Sequence, residues 1–350
     1  SNYVLYGDMS HRVMTTLASF VPDVEVYSID EAFLLLDGFE KQNLKELGRK
    51  IVETIVRNTG IPVSMGIAPT KTLAKVANKF AKKFIDYKGL CLIDTDEKRE
   101  KALQLTAIED VWGIGRQYSK MLAYHGIRTA WDFTKKSKAW VRRNMSVTGE
   151  RTWLELQGNP CIEMEHVAAK KSICTSRSFG ERLTEYAPVS EAVANFAANC
   201  AEKLRKQHSK AMLLTVFIHT NPFSTSQLQY FNQKTVPLPV PTNDSAELIH
   251  HALQALKAIF AEGYLYKKAG VVVGDIVPET PLQTDLFDTR DREKFGKAMQ
   301  VMDSLNATYG KHKVRIAAQG FGRNWKLKNE KLSPFYTTRL KDILEVKATE

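Results

Sequence analysis

Cysteine is scarce in this chain of 350 residues: there are four, and no two form a Cys-x-x-Cys pair. Cys91, Cys161, Cys174 and Cys200 also lack histidines at ligand spacing, which speaks against structural zinc and against a disulfide framework and fits a reducing cytosol. Long apolar runs are missing too. The longest, Phe33 to Leu36 and Ala211 to Ile218, fall far short of the roughly 20 residues that span a bilayer, so no membrane partner is expected. The opening residues SNYVLYGDMSHR have no cationic stretch before an apolar core, so no secretion signal is read there. Internal repeats and low-complexity tracts are absent.

What the chain does have is positive charge. Fifty Lys and Arg against 39 Asp and Glu give +11, which favours a polyanionic partner. Hydrophobic residues at 43% and charged residues at 25% are those of an ordinary globular protein, and the length suits two or three cores.

Hydrophobic spacing divides the chain. Residues 3–20 carry helix periodicity, Val24 to Leu36 reads as strand, and Asn43 caps a helix running to about Arg57. A strand over 61–67, a helix over 70–84 and a short strand over 90–93 complete an α+β segment, 1–105. Residues 106–168 hold short helices between glycine and polar turns. From 172 to 277 the order is strand, helix, strand, strand, Pro-rich turn, helix, strand, which predicts two helices on a four-stranded sheet. Beyond Val277 the pattern is irregular, and 278–350 reads as linker and tail.

Three features carry chemistry. In YSIDEAFLLL the adjacent acids Asp30 and Glu31 interrupt an apolar strand, and buried carboxylates need a partner. A bend over 29–31 would bring both to one sheet edge, where hard cations such as Mg²⁺ take oxygen ligands; the alternative is a solvated turn. In TKTLAKVANKFAKKF, Lys71, Lys75, Lys79 and Lys82 line one helix face while Leu73, Val76 and Phe80 line the other. Like charges at this spacing repel, and a phosphate chain would relieve them; a solvated lysine face is the alternative. In VWGIGR, Gly113, Ile114, Gly115 and Arg116 stand before a helix N-terminus, the chemistry of a helix-hairpin-helix phosphate grip, although tight helix–helix turns use glycine too. Near the end, Gln283-Thr284-Asp285-Leu286-Phe287 places Leu-Phe in an irregular segment, to fold back or to fill a partner's pocket.

Together with SNYVLYGDMSHRVM, SRSFGER and SPFYTTRLKDIL, these stretches form seven blocks, in order, in which the chain resembles the Y-family DNA polymerases of the UmuC-like bacterial branch. The resemblance implies a multidomain α+β protein: a partial palm (1–105), a helical thumb with the helix-hairpin-helix (106–168), a little finger (172–277) and a clamp-binding linker and tail (278–350). It implies error-prone translesion DNA synthesis in the SOS response to DNA damage, with two Mg²⁺ ions. Asp30 and Glu31 resemble metal-binding catalytic carboxylates, Lys82 the lysine that holds the incoming triphosphate, and Gly113 to Arg116 the DNA grip. Gln283, Leu286 and Phe287 resemble a sliding-clamp peptide.

Primer-template DNA and dNTP are the implied substrates. A UmuD′-like accessory protein and a recombinase filament are further implied partners, the former touching the basic tail around Arg339 and Lys341, in a bacterial cytoplasm. The family's first metal-binding Asp, its ribonucleotide-excluding aromatic residue and its fingers domain have no counterpart in this sequence, so the chain alone is expected not to polymerise. Two other readings stay open: a non-catalytic module that binds DNA and the clamp, and a metal nuclease, which also uses paired acids.

Overall fold

The computed structural model describes residues 1–39, 41–165, 169–280, 288, 290–322 and 325–345. The chain divides into two compact units, Ser1–His166 with Leu332–Glu350, and Val167–Lys331.

In the first unit, α1 (Tyr3–Ala18) leads into a hairpin of β1 (Val24–Val26) and β2 (Ala32–Leu34). The strands pair antiparallel from Val24 opposite Leu34 to Val26 opposite Ala32, leaving residues 27–31 as the connecting loop. Helix α2 (Leu44–Thr59) starts where the Asn43 side chain accepts from the amides of Lys45 and Glu46, and stops at Gly60, whose φ of 70° is the left-handed conformation glycine adopts at no steric cost. Next come β3 (Met65–Ile67), α3 (Lys71–Lys83) and β4 (Leu90–Leu92), with β3 and β4 parallel. The crossover helix packs tightly: a Cβ at Gly66 would lie 2.2 Å from the Ala74 carbonyl oxygen and from the Asn78 amide nitrogen. Only glycine lets α3 sit this close to β3.

Four helices follow: α4 (Asp96–Leu105), α5 (Arg116–Tyr124), α6 (Ala130–Thr134) and α7 (Lys138–Leu156), the last broken at Ser146. Their buried side chains Leu103, Leu122, Phe133 and Met145 form one core with Leu73, Val76 and Phe80 of α3. Segments 1–105 and 106–165 thus share a hydrophobic core. The stretch after residue 332 belongs here as well, since the Asn2 side chain donates to the carbonyls of Ser333 (2.9 Å) and Pro334 (3.2 Å).

The second unit is a four-stranded antiparallel sheet in the order β5 (Ser172–Leu183), β8 (Tyr266–Pro278), β6 (Ser209–His219), β7 (Phe231–Thr242). One face is covered by α8 (Tyr186–Lys206) and α9 (Ser245–Ile259). Two expectations change here. The Pro-rich stretch 237–241 is not a turn: Pro237, Pro239 and Pro241 lie inside β7. That strand is at the sheet edge, where a missing amide donor leaves no ladder bond unmade. The region after 277 is not wholly irregular either. Helix α10 (Arg292–Tyr309) forms there, with Arg205 of α8 bridging to Asp303 at 2.6 Å.

Candidate catalytic site

The site is built on the β1–β2 hairpin and α3. Backbone bonds from the amides of Tyr27 and Ser28 to the Glu31 carbonyl, both 3.0 Å, close the loop. Residues 29–31 therefore turn, and the two acids stand at the end of the hairpin. Asp30 is exposed, held by the Ser28 hydroxyl, which donates to its carboxylate at 2.6 Å. Glu31 is half-buried and accepts from Lys75 Nζ at 2.7 Å.

Helix α3 meets this hairpin with its lysine face. Lys71 pairs with Glu25 of β1, Lys75 with Glu31, and Lys79 with Asp110. The repulsion expected along the lysine row is therefore relieved within the protein at three of its four members. Lys82 ends the row, is exposed, and makes no ion pair among the described residues. Asp30, Glu31, Lys71, Lys75 and Lys82 all line one cavity of about 1610 Å³, whose walls include Val13 and Met14 of α1 and Ile51 and Ile55 of α2. The acids and the terminal lysine thus open onto the same cavity.

The loop before α5 is tied to the same hairpin. Trp112 donates its indole N–H to the Tyr27 hydroxyl at 3.1 Å, and the rings of Tyr27, Phe33 and Trp112 lie within 5.7 Å of one another. Gly113 has φ of 91°, and a Cβ there would meet the Thr152 hydroxyl at 2.7 Å, so this position needs glycine on both counts. Ile114 is buried. Gly115 is the N-cap of α5 with no side chain to satisfy the first amides, and Arg116 is exposed at the first helical position. Gln283, Leu286 and Phe287 lie outside the described residues.

Sequence reading passed over Glu25 and Glu155, and it placed Lys75 on the lysine face without its carboxylate partner. Glu25 is a buried partner of Lys71, and Lys75 is the counter-cation of Glu31; a lone Glu in the strand VEV gives no local sign of its role. Glu155 of α7 is fully buried: its carboxylate accepts from the amides of Thr72 (3.0 Å), Cys161 (2.9 Å) and Ile162 (3.1 Å). It thereby fixes the start of α3, and with it the height of the lysine row.

The donors fit a hard divalent cation as part of a larger set. They are carboxylate oxygens, one exposed and one paired with a partly exposed lysine. Among the described residues no group of three or more His, Cys, Asp or Glu side chains stands together to hold a metal by itself. No described helix is long and apolar enough to cross a membrane.

The impB/mucB/samB family model matches residues 1–79, its C-terminal domain model matches 170–286, and a domain of unknown function (DUF4113) matches 297–346. The chain is 45% identical to Protein UmuC of Salmonella typhimurium over 351 residues, covering 99% of this chain and 83% of that protein. It is 40% identical to Protein SamB of Salmonella typhimurium over 354 residues, covering 100% and 83%. It is 24% identical to DNA polymerase IV of Treponema denticola over 316 residues, covering 89% and 77%. Identity of this level over nearly the whole chain, with the paired acids and the lysine helix in one site, leads to one conclusion: the chain belongs to the impB/mucB/samB family of UmuC-like Y-family DNA polymerases.

Proposed function

We propose that the chain serves error-prone translesion DNA synthesis, in which a primer 3′-OH is extended with dNTP opposite damaged template, and that its acid pair needs a further metal-binding carboxylate before it can do so, so that the chain alone does not polymerise. Polymerases of this family depend on divalent metal. The observation that carries the reading is the cavity that joins Asp30 and Glu31 to Lys82.

In this reading Asp30 and Glu31 hold Mg²⁺, two ions in the complete site, which would supply charge neutralisation at the attacking and leaving oxygens. Lys82, unpaired among the described residues at the far end of the row, takes the triphosphate. The Gly113 to Arg116 loop offers α5's free amides and the Arg116 guanidinium to a backbone phosphate of primer-template DNA. The hairpin and this loop are joined through Tyr27 and Trp112, so the DNA grip and the acids share one support.

A second reading is a non-catalytic DNA-binding module, favoured by the acid pair having no third ligand group beside it among the described residues. Labelled primer-template incubated with Mg²⁺ and the four dNTPs separates the readings by product. Lengthening that is lost in Asp30→Ala would overturn the expected inactivity of the chain alone and carry the polymerase outright; bound but unchanged DNA is expected, and carries the module only if Mn²⁺ binding is also indifferent to Asp30→Ala; shortening would mean a metal nuclease. In both of the first two, binding weakens with salt at a slope of about −0.9 per phosphate neutralised.

The Gln283, Leu286 and Phe287 segment is proposed to bind a sliding clamp, and the tail near Arg339 and Lys341 a UmuD′-like partner, the reaction taking place in the bacterial cytoplasm. Both rest on the resemblance in these stretches of sequence. Leu286→Ala with Phe287→Ala should abolish clamp binding and leave DNA binding intact; unchanged clamp affinity would remove that assignment.

A further inference from the structure

Three lysine–carboxylate pairs fasten α3 to its surroundings, and they differ in how firmly they are held. Lys71 and Glu25 are 9% and 8% exposed, and each has a second bond: Lys71 donates to the Glu163 carbonyl at 2.6 Å, and Glu25 accepts from the Glu165 amide at 2.7 Å. Neither can leave without stranding a buried charge.

Lys75 is different. It and Glu31 are 21% and 39% exposed, and among the described residues the hydrogen-bond partner of its ammonium is Glu31 alone. The same ammonium lies 5.1 Å from the Tyr27 ring centre and 5.9 Å from that of Phe33, so aromatic faces support it beside the carboxylate. A divalent ion on Glu31 would come within repulsive distance of an ammonium already 2.7 Å from the same carboxylate oxygen. Two cations crowded on one carboxylate weaken each other's hold there.

Resting on the polymerase reading above, we propose that Lys75 is an exchangeable counter-cation. It neutralises Glu31 until a divalent ion takes that carboxylate, and it is then released toward the phosphates of a nucleotide gathered at Lys82. Lys82 stands seven residues on, about two turns or roughly 10 Å along the same helix face, so a phosphate chain reaching both is within the geometry of α3. The exchange couples the two ligands. Metal binding uncovers a lysine for phosphate, and by linkage phosphate binding at Lys75 favours metal at Glu31 by the same factor.

Two measurements on the whole chain test this. Mn²⁺ binding is followed by loss of the free-ion electron paramagnetic resonance signal, in the native protein and in Asp30→Asn. Acetylation of individual lysines is followed by mass spectrometry without Mg²⁺, with Mg²⁺, and with Mg²⁺ plus a non-hydrolysable deoxynucleoside triphosphate. The expected result is Mn²⁺ binding that needs Asp30, with Lys75 acetylation rising roughly two- to five-fold on adding Mg²⁺, the factor set free when a partly exposed ion pair opens. Lys71 acetylation should not change, and the triphosphate should return Lys75 to protection. Asp30-dependent Mn²⁺ binding with Lys75 acetylation unchanged overturns the exchange and leaves the polymerase reading standing. Mn²⁺ binding indifferent to Asp30→Asn removes both.

Discussion

At the scale of single residues, the two acids proposed to hold metal are braced by a third acid, Glu25. Glu25 stands opposite Phe33 in the hairpin, and its carboxylate meets Lys71 while the Lys71 ammonium lies 5.0 Å from the Phe33 ring centre. One ion pair thus pins both strands to α3 a few residues before the turn that carries Asp30 and Glu31. Burial makes the pair costly to break, because a lone ammonium left there has neither water nor counter-charge. Glu25→Ala should therefore destabilise the first unit by about 3–5 kcal/mol in urea titration. Replacing both partners, Glu25→Leu with Lys71→Met, should recover most of that loss, since no charge is then left uncompensated. A single-substitution cost below about 1 kcal/mol, the range of an exposed pair, would show that the hairpin is anchored elsewhere.

At the scale of elements, what was legible is what carries a local signal. The bend at Asp30 and Glu31 follows from two charges interrupting an apolar run, and the structure turns the chain there. The α2 start follows from Asn43 and the lysine face of α3 from its period. The misreadings have a shared cause, which is that a neighbour decided the outcome. Prolines at 237, 239 and 241 signal a turn by themselves, and they sit in a strand only because β7 has a partner on one side. Helix α10 follows a stretch rich in turn signals, and its attachment comes from distant contacts: Arg290 to Asp244 at 3.1 Å, Arg292 to Glu247 at 3.3 Å and Arg205 to Asp303 at 2.6 Å. For the lysine row the sequence left a phosphate chain and a solvated face both open, because it cannot display Glu25 and Asp110, which lie 46 and 31 positions from their partners. The turn at the acids and the lysine face of α3 were thus readable from the chain, and the ion pairs that join them were not.

At the scale of the molecule, the stretch matched by the domain of unknown function, 297–346, is divided between the two units: residues up to Lys331 go with the second and those from Leu332 with the first. The second unit depends on its share. Trp325 is 6% exposed, stacks edge-on against Phe196 of α8, and donates its indole N–H to Glu191 at 2.9 Å, while a Cβ at Gly180 would strike the Lys326 carbonyl oxygen at 2.3 Å. Chain about 120 residues downstream of the end of α8 therefore completes its core. Each core also holds one buried cysteine, Cys200 in the second unit and Cys91 in the first, whereas Cys174 is exposed. Burial pushes the Cys200 thiol up to about 11 and raises that of Cys91 as well, so both stay protonated and shielded at pH 8. A thiol reagent at that pH should label Cys174 quickly and the two buried thiols only as fast as their surroundings open. Trp325→Ala, costing about 3–5 kcal/mol, should then speed labelling of Cys200 and leave Cys91 unchanged. Glu155→Ala, which strips an acceptor from three amides beside the other core, should do the reverse. Equal acceleration of both thiols by either substitution would mean that the two cores open as one, and Trp325 would lose its assignment to the second unit alone.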